Sequence, residues 1–221
     1  MIFAPLCWRE VKRVFVLGLT GSIAMGKTWG AKCFAHFGVP VHDADRCVHA
    51  LMAPGGQAVA AVAAAFPGVL GADGGVDRLK LAERALGEGG ALNALEAILH
   101  PMVRDCQSQF LAVQARRRSP LVVLDVPLLY ETDGRAEVDA VVVMSAPVFL
   151  QRRRALKRPG MTAEKLNAIL ARQTPDEVKR RVAEFVVSTA GPRGESLRRI
   201  AGIVKVTRGL QGRVWGPGWG R

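Results

Sequence analysis

Apolar, β-branched runs recur along the chain at Val14 to Leu19, Val39 to Val41, Leu121 to Val126, Val138 to Met144 and Phe185 to Val187, with helical patterning between most of them. Near-continuous apolar runs of this length suit strands covered on both faces, the situation of a parallel sheet whose crossovers are helices. The pattern predicts an α/β fold, a three-layer doubly wound parallel sheet whose ligands gather at the carboxyl ends of the strands. A helix is predicted over Lys27 to Phe37, with Ala31, Phe34 and Ala35 on one face and Gly38 as its stop. Between Pro54 and Gly90 the chain turns rich in glycine and alanine, with Pro67-Gly68 and Ala72-Asp73-Gly74-Gly75 as turn signals, and reads as an inserted helical subdomain. A long helix follows over Leu92 to Ala115, where Pro101 is expected to kink or restart it. The last stretch, Gly209 to Arg221, holds five glycines, a proline and two tryptophans without periodicity and is expected to be poorly ordered.

At 221 residues the chain can bury a full core as one main domain without disulfide help. Its four cysteines, Cys7, Cys33, Cys47 and Cys106, lie far apart with no C-x-x-C pair, which argues against a zinc knuckle or a disulfide framework and fits a reducing cytosol. Positive charges follow the short apolar start instead of preceding it, opposite to a secretory signal, and no stretch is long and uncharged enough to cross a membrane. A cytoplasmic protein is expected. The net charge of +12 is mainly terminal, with +2 in residues 1–13 and +6 in residues 192–221. In the larger, C-terminal part of that basic excess only Trp215 and Trp219 are interleaved, so nucleic acid is not the expected partner.

The strongest chemical signal follows the first predicted strand. Gly21-Ser22-Ile23-Ala24-Met25-Gly26-Lys27-Thr28 fits G-x-x-x-x-G-K-[ST], in which glycines let backbone N–H groups close around phosphates, Lys27 reaches the β/γ oxygens and the Thr28 hydroxyl can ligate Mg²⁺. The helix behind it aims its N-terminal dipole at the same anion. His42-Asp43-Ala44-Asp45 places two carboxylates where a strand ends and a helix begins. Asp43 and Asp45 could divide the roles of base for an acceptor hydroxyl and acceptor for metal-bound water, or either could simply cap the helix. Leu124-Asp125 ends another strand in the pattern of a metal-holding carboxylate, with Asp125 opposite Thr28. Arg152 to Gly160 is a basic helix broken by Pro159-Gly160, as expected of a hinged lid whose arginines neutralise charge developing on a transferred phosphoryl group.

Taken in order, Gly18 to Thr28, Asp43-Ala44-Asp45, Leu95-Glu96-Ala97-Ile98-Leu99-His100-Pro101, Asp125-Val126-Pro127-Leu128-Leu129-Tyr130-Glu131 and Lys157-Arg158-Pro159-Gly160-Met161 resemble dephospho-CoA kinase, over about Val14 to Ile203. The resemblance implies a nucleotide-binding core, a helical acceptor subdomain and a lid over about residues 150–165. Outside it, residues 1–13 read as an extension and residues 204–221 as a basic, disordered tail. The resemblance also implies transfer of phosphate from ATP·Mg²⁺ to the ribose 3′-hydroxyl of dephospho-CoA, completing coenzyme A synthesis. By position Asp45 resembles the base. Gly21, Ser22, Ala24, Met25, Gly26, Lys27, Thr28 and Trp29 would hold ATP with Arg154 and Arg158, Lys27 and Arg154 assisting transfer. Asp43, Asp45, His100 and Arg104 would meet the acceptor, and Thr28 and Asp125 the metal.

Two loop residues depart from the usual family pattern. Ala24 stands where glycine is common, costing on the order of 1 kcal/mol if the backbone needs positive φ, and Trp29 replaces a small hydroxyl residue, leaving its backbone N–H for a phosphate. Thr189 also stands near where many members carry Asn. Other readings are a related kinase for a nucleoside, monophosphate or shikimate-like acceptor, a basic nucleotide-dependent nucleic-acid binder, and an ATP-binding sensor without transfer.

Overall fold

The computed structural model describes residues 13–87, 90–132 and 134–215. Among them the chain runs β1 (Phe15–Thr20), α1 (Lys27–His36), β2 (Val41–Asp43), α2 (Ala44–Met52), α3 (Val59–Ala65), α4 (Arg78–Gly87), α5 (Ala91–Arg116), β3 (Leu121–Asp125), β4 (Ala140–Ser145), α6 (Val148–Leu156), α7 (Ala163–Ala171), α8 (Asp176–Val182), β5 (Phe185–Ser188) and α9 (Arg193–Thr207). The strands form one parallel sheet in the order β2-β3-β1-β4-β5. Every residue of β1, β3 and β4 is buried, which is why these runs are apolar throughout instead of alternating. Alternate residues serve opposite faces. Phe15, Leu17 and Leu19 join Phe34, Ile200 and Val204 on the α1/α9 side, while Val14, Val16 and Val122 join Leu111 of α5 and Leu129 on the other.

The inserted segment builds its own small core. Leu51 and Met52 of α2, Val62 of α3, Leu81 of α4 and Leu99 of α5 pack together, with the Leu70–Val76 bridge closing the glycine-rich turn. Helices α6 and α7, which span the expected lid, pack on the loop between β1 and α1 through Ala155 and Leu166, which meet Ala24, with Ile23, Met161 and Leu170 alongside. No helix among the described residues is long and apolar enough to cross a membrane.

Several local expectations need correction. The second strand pairs at Val41 to Asp43, because Pro40 has no N–H for the ladder and offers only its carbonyl, to Val123 N. Helix α1 buries Gly30, Cys33 and Phe34 and leaves Ala35 exposed. A Cβ on Gly30 would lie 2.7 Å from Met144 Sδ, so the missing side chain is what lets the helix approach the sheet. Pro101 does not restart α5, which runs as one helix from Ala91 to Arg116.

The expected disorder is also corrected over residues 204–215. Ile203, Val204 and Thr207 are buried on the inner stripe of α9, so the helix continues to Thr207. Beyond it, Gly212 N donates to Arg13 O at 3.2 Å, Arg213 N and Val214 N donate to Asp139 Oδ1 at 2.6 and 3.0 Å, and Trp215 packs on the core cluster that includes Val14. Residues 1–12 of the extension and residues 216–221 of the tail, Trp219 among them, lie outside the described residues.

Candidate active site

The turn from β1 to α1 is shaped by backbone requirements at three residues. Gly26 has φ 92° and Ala24 φ 61°, both left-handed, so the positive φ that disfavours alanine is present at Ala24. A Cβ on Gly21 would stand 2.7 Å from Met144 O, which only glycine avoids. Two amides of the turn are spent, Ile23 N on Gln173 Oε1 at 3.0 Å and Met25 N on Ser22 O at 3.1 Å. Those of Ala24, Gly26, Lys27 and Thr28 find no acceptor among the described residues, and α1 starts without a side-chain cap. Ser22 Oγ is buried with no partner among the described residues. Free amides, a helix N-terminus and an unpartnered hydroxyl around one hollow form a site built for an anion.

Lys27 opens α1, and its Nζ lies 2.6 Å from Asp125 Oδ1. Asp125 ends β3 directly beside the last residues of β1 and β2, in register with Leu19 and Asp43. Burial raises its carboxyl above the usual aspartate value, opposed by Lys27 and reinforced by Asp43 and Asp45. Such a carboxylate stays charged most easily with a cation beside it.

A hollow of about 510 Å³ lies over the phosphate loop, lined among others by Lys27, Thr28, Arg154 and Arg158. A second, of about 550 Å³, opens between α2, α5 and the segment after β3, with His100 and Arg104 on its wall. Asp45, Pro127, Ile169 and Gln173 line both, so the Asp45 carboxylate, exposed on the first turn of α2, stands where the hollows meet. Asp43 does not. It caps α2, accepting Arg46 N at 3.0 Å, and lines neither hollow. Arg104 lies 3.7 Å from Glu137 at the edge of the second.

Arg154, on α6, donates to Thr189 Oγ1 at 2.8 Å and Thr189 O at 2.6 Å, and Thr189 Oγ1 in turn donates to Met25 O at 3.0 Å. Trp29 differs from the sequence reading in one respect. Its amide is already bonded to Gly26 O at 3.0 Å and is not free for a phosphate. Its indole instead donates to Ser196 Oγ at 2.8 Å and carries the Arg193 guanidinium 5.0 Å above the ring, on the wall of a smaller hollow of about 230 Å³ beside Gly26.

Sequence reasoning gave no role to four residues that the structure ties to this site: Gln151, Gln173, Glu131 and Lys179. Gln151 Nε2 donates to Ile23 O at 3.0 Å while Gln173 accepts from Ile23 N. Glu131, quoted only as the end of a motif, accepts Thr174 N at 2.7 Å and pairs with Lys179 at 2.9 Å. Lys179 lies in a run of charges that reads as a solvated helix face, yet it is fully buried.

The dephospho-CoA kinase family model matches residues 15–193. A curated dephospho-CoA kinase of Mesorhizobium japonicum is 51% identical over 199 residues, covering 90% of this chain and all of the relative. That of Paramagnetospirillum magneticum is 55% identical over 194 residues, 88% of this chain and 91% of the relative. Among solved structures, TT1252 from Thermus thermophilus superposes with a TM-score of 0.77 at 31% identity, over 88% of this chain and 98% of that one. A Campylobacter jejuni dephospho-CoA kinase, at 19% identity and TM-score 0.61 over 87% of this chain and 96% of that one, shares the fold.

Proposed function

The chain belongs to the dephospho-CoA kinase family, and from that premise we propose how its residues divide the work of the reaction. It is a phosphotransferase of coenzyme A biosynthesis that uses ATP to phosphorylate dephospho-CoA. The ribose 3′-hydroxyl oxygen forms a bond to the γ-phosphorus, the bond from that phosphorus to the β-phosphate oxygen breaks, and ADP departs. The hydroxyl proton goes to Asp45.

Positioning and charge neutralisation do most of such a transfer. The free amides of Gly26, Lys27 and Thr28, with Ser22 Oγ, take the phosphates of ATP, and Lys27 exchanges part of its pairing with Asp125 for phosphate oxygens. Arg154 and Arg158 face the same hollow from the lid and offset charge on the transferred group. His100 and Arg104 hold the acceptor in the second hollow. Thr28 and Asp125 fit a Mg²⁺ ion of the kind held by one hydroxyl and one carboxylate, with phosphates and water completing its shell, and no group of three or more His, Cys, Asp or Glu among the described residues offers a different metal cage. The ion would supply charge neutralisation between the phosphates.

The observation that carries this reading is the meeting of the two hollows at Asp45. Coupled measurement of ADP release with a panel of alcohol acceptors tests it. Dephospho-CoA should be turned over and nucleoside monophosphates not. Turnover of a monophosphate in its place would sink the assignment.

A further inference from the structure

Ile23 is gripped on both sides of its backbone, by the lid and by the linker that leaves it. Gln151, buried on α6 as the chain enters the lid, holds its carbonyl, and Gln173, on the linker by which the chain leaves the lid, holds its amide. The Ile23 side chain packs against the cluster of Ala24, Ala155 and Leu166, as do Met161 and Leu170. A shift of the lid therefore moves a peptide flanked by Ser22 and Ala24, inside the phosphate loop.

The Gln173 end is itself anchored. The next residue, Thr174, donates its amide to Glu131 Oε1 at 2.7 Å, and that oxygen lies 2.9 Å from Lys179 Nζ. Lys179 is 0% exposed and the Glu131 side chain 14%, while neither lines a hollow of the site. A buried ion pair is a poor source of stability, since apolar residues of similar size often do as well, and its attested use is to fix one arrangement over others. Here the arrangement it fixes is the linker that carries Gln173. Resting on the family reading above, we propose that Glu131 and Lys179 are positioning residues for ATP. Through Thr174 and Gln173 they set the amide of Ile23, and with it the phosphate loop, in register with the lid.

The test is a set of variants assayed for the KM of each substrate, kcat, ATP affinity by calorimetry and melting temperature. Turnover of dephospho-CoA by the parent protein checks the family reading separately, before any variant is compared. Glu131→Ala with Lys179→Met removes the charges together with the acceptor for Thr174. It should raise the ATP KM about tenfold, the scale of one lost hydrogen bond, and leave the KM for dephospho-CoA unchanged. Glu131→Gln with Lys179→Met keeps an acceptor oxygen and should return the ATP KM to within about twofold of the parent. Gln173→Ala, which leaves the buried pair intact, should raise the ATP KM by the same factor as the first variant. Joined to it, the substitution should add no further loss, because both act through one bond. An ATP KM unmoved by Gln173→Ala, equal losses for both substrates in the Glu131→Ala, Lys179→Met variant, or full additivity of the two changes would each overturn the proposal.

Discussion

Asp45 and Asp43 stand two residues apart with separate tasks. Asp43 spends an oxygen on the Arg46 amide, while Asp45 faces both hollows. Asp45→Asn is expected to lower kcat about 10²- to 10⁴-fold with ATP affinity preserved, measured by steady-state turnover and calorimetry. Asp43→Asn, which keeps a capping oxygen, should stay within a few-fold of the parent. Gly26 is held at φ 92°, and a Cβ there would lie 3.0 Å from Thr189 Cγ2, so Gly26→Ala strains the backbone by about 1–2 kcal/mol. It also displaces the residue that anchors Arg154. Weaker ATP binding is the expected result, read from the dissociation constant. The loop was legible because its spacing is a backbone requirement written in residue types. Capping by Asp43 was one of the alternatives its position offered, but the fate of the Trp29 amide was not legible, since it depends on which neighbour reaches the atom first.

Elements were legible wherever burial on both faces forced an unbroken apolar run, as in β1, β3 and β4. The edge strand β2 was misplaced by two residues, because Pro40 reads as apolar but cannot pair. Residues 204–215 were misread for a related reason. Beyond α9 their hold on the fold comes from backbone amides meeting Asp139, and amides leave no mark in composition. Truncation after Ile203 removes Val204 and Thr207 from the core and those bonds with them. It should cost about 3 kcal/mol or more and lower the melting temperature by about 6–12 °C at this chain length. An unchanged melting curve would show the segment to be dispensable.

For the whole molecule, the lid, the phosphate loop and the segment after β3 are joined through Glu131. Burial alone would raise its carboxyl, but the Lys179 ammonium and the Thr174 amide outweigh that and hold it below the ordinary glutamate value. A depressed carboxylate contributes stability that is complete above the unfolded-state value and is lost as pH falls through the folded one. The melting temperature of the parent should therefore drop as pH moves below the ordinary glutamate range. In the Glu131→Gln, Lys179→Met variant that acid limb should be shallower, and an equally steep limb would assign it to other carboxylates. No reading of the chain alone could have found this link, because Glu131 and Lys179 come together only once the sheet has brought α8 under the end of the β3 segment. The indole of Trp29, set between Arg193 and Ser196 beside Gly26, gives the folded molecule a native optical gauge. With the other tryptophans replaced by phenylalanine, a nucleotide settling next to that ring should change its emission. A spectrum indifferent to ATP would mean that the base rests somewhere else.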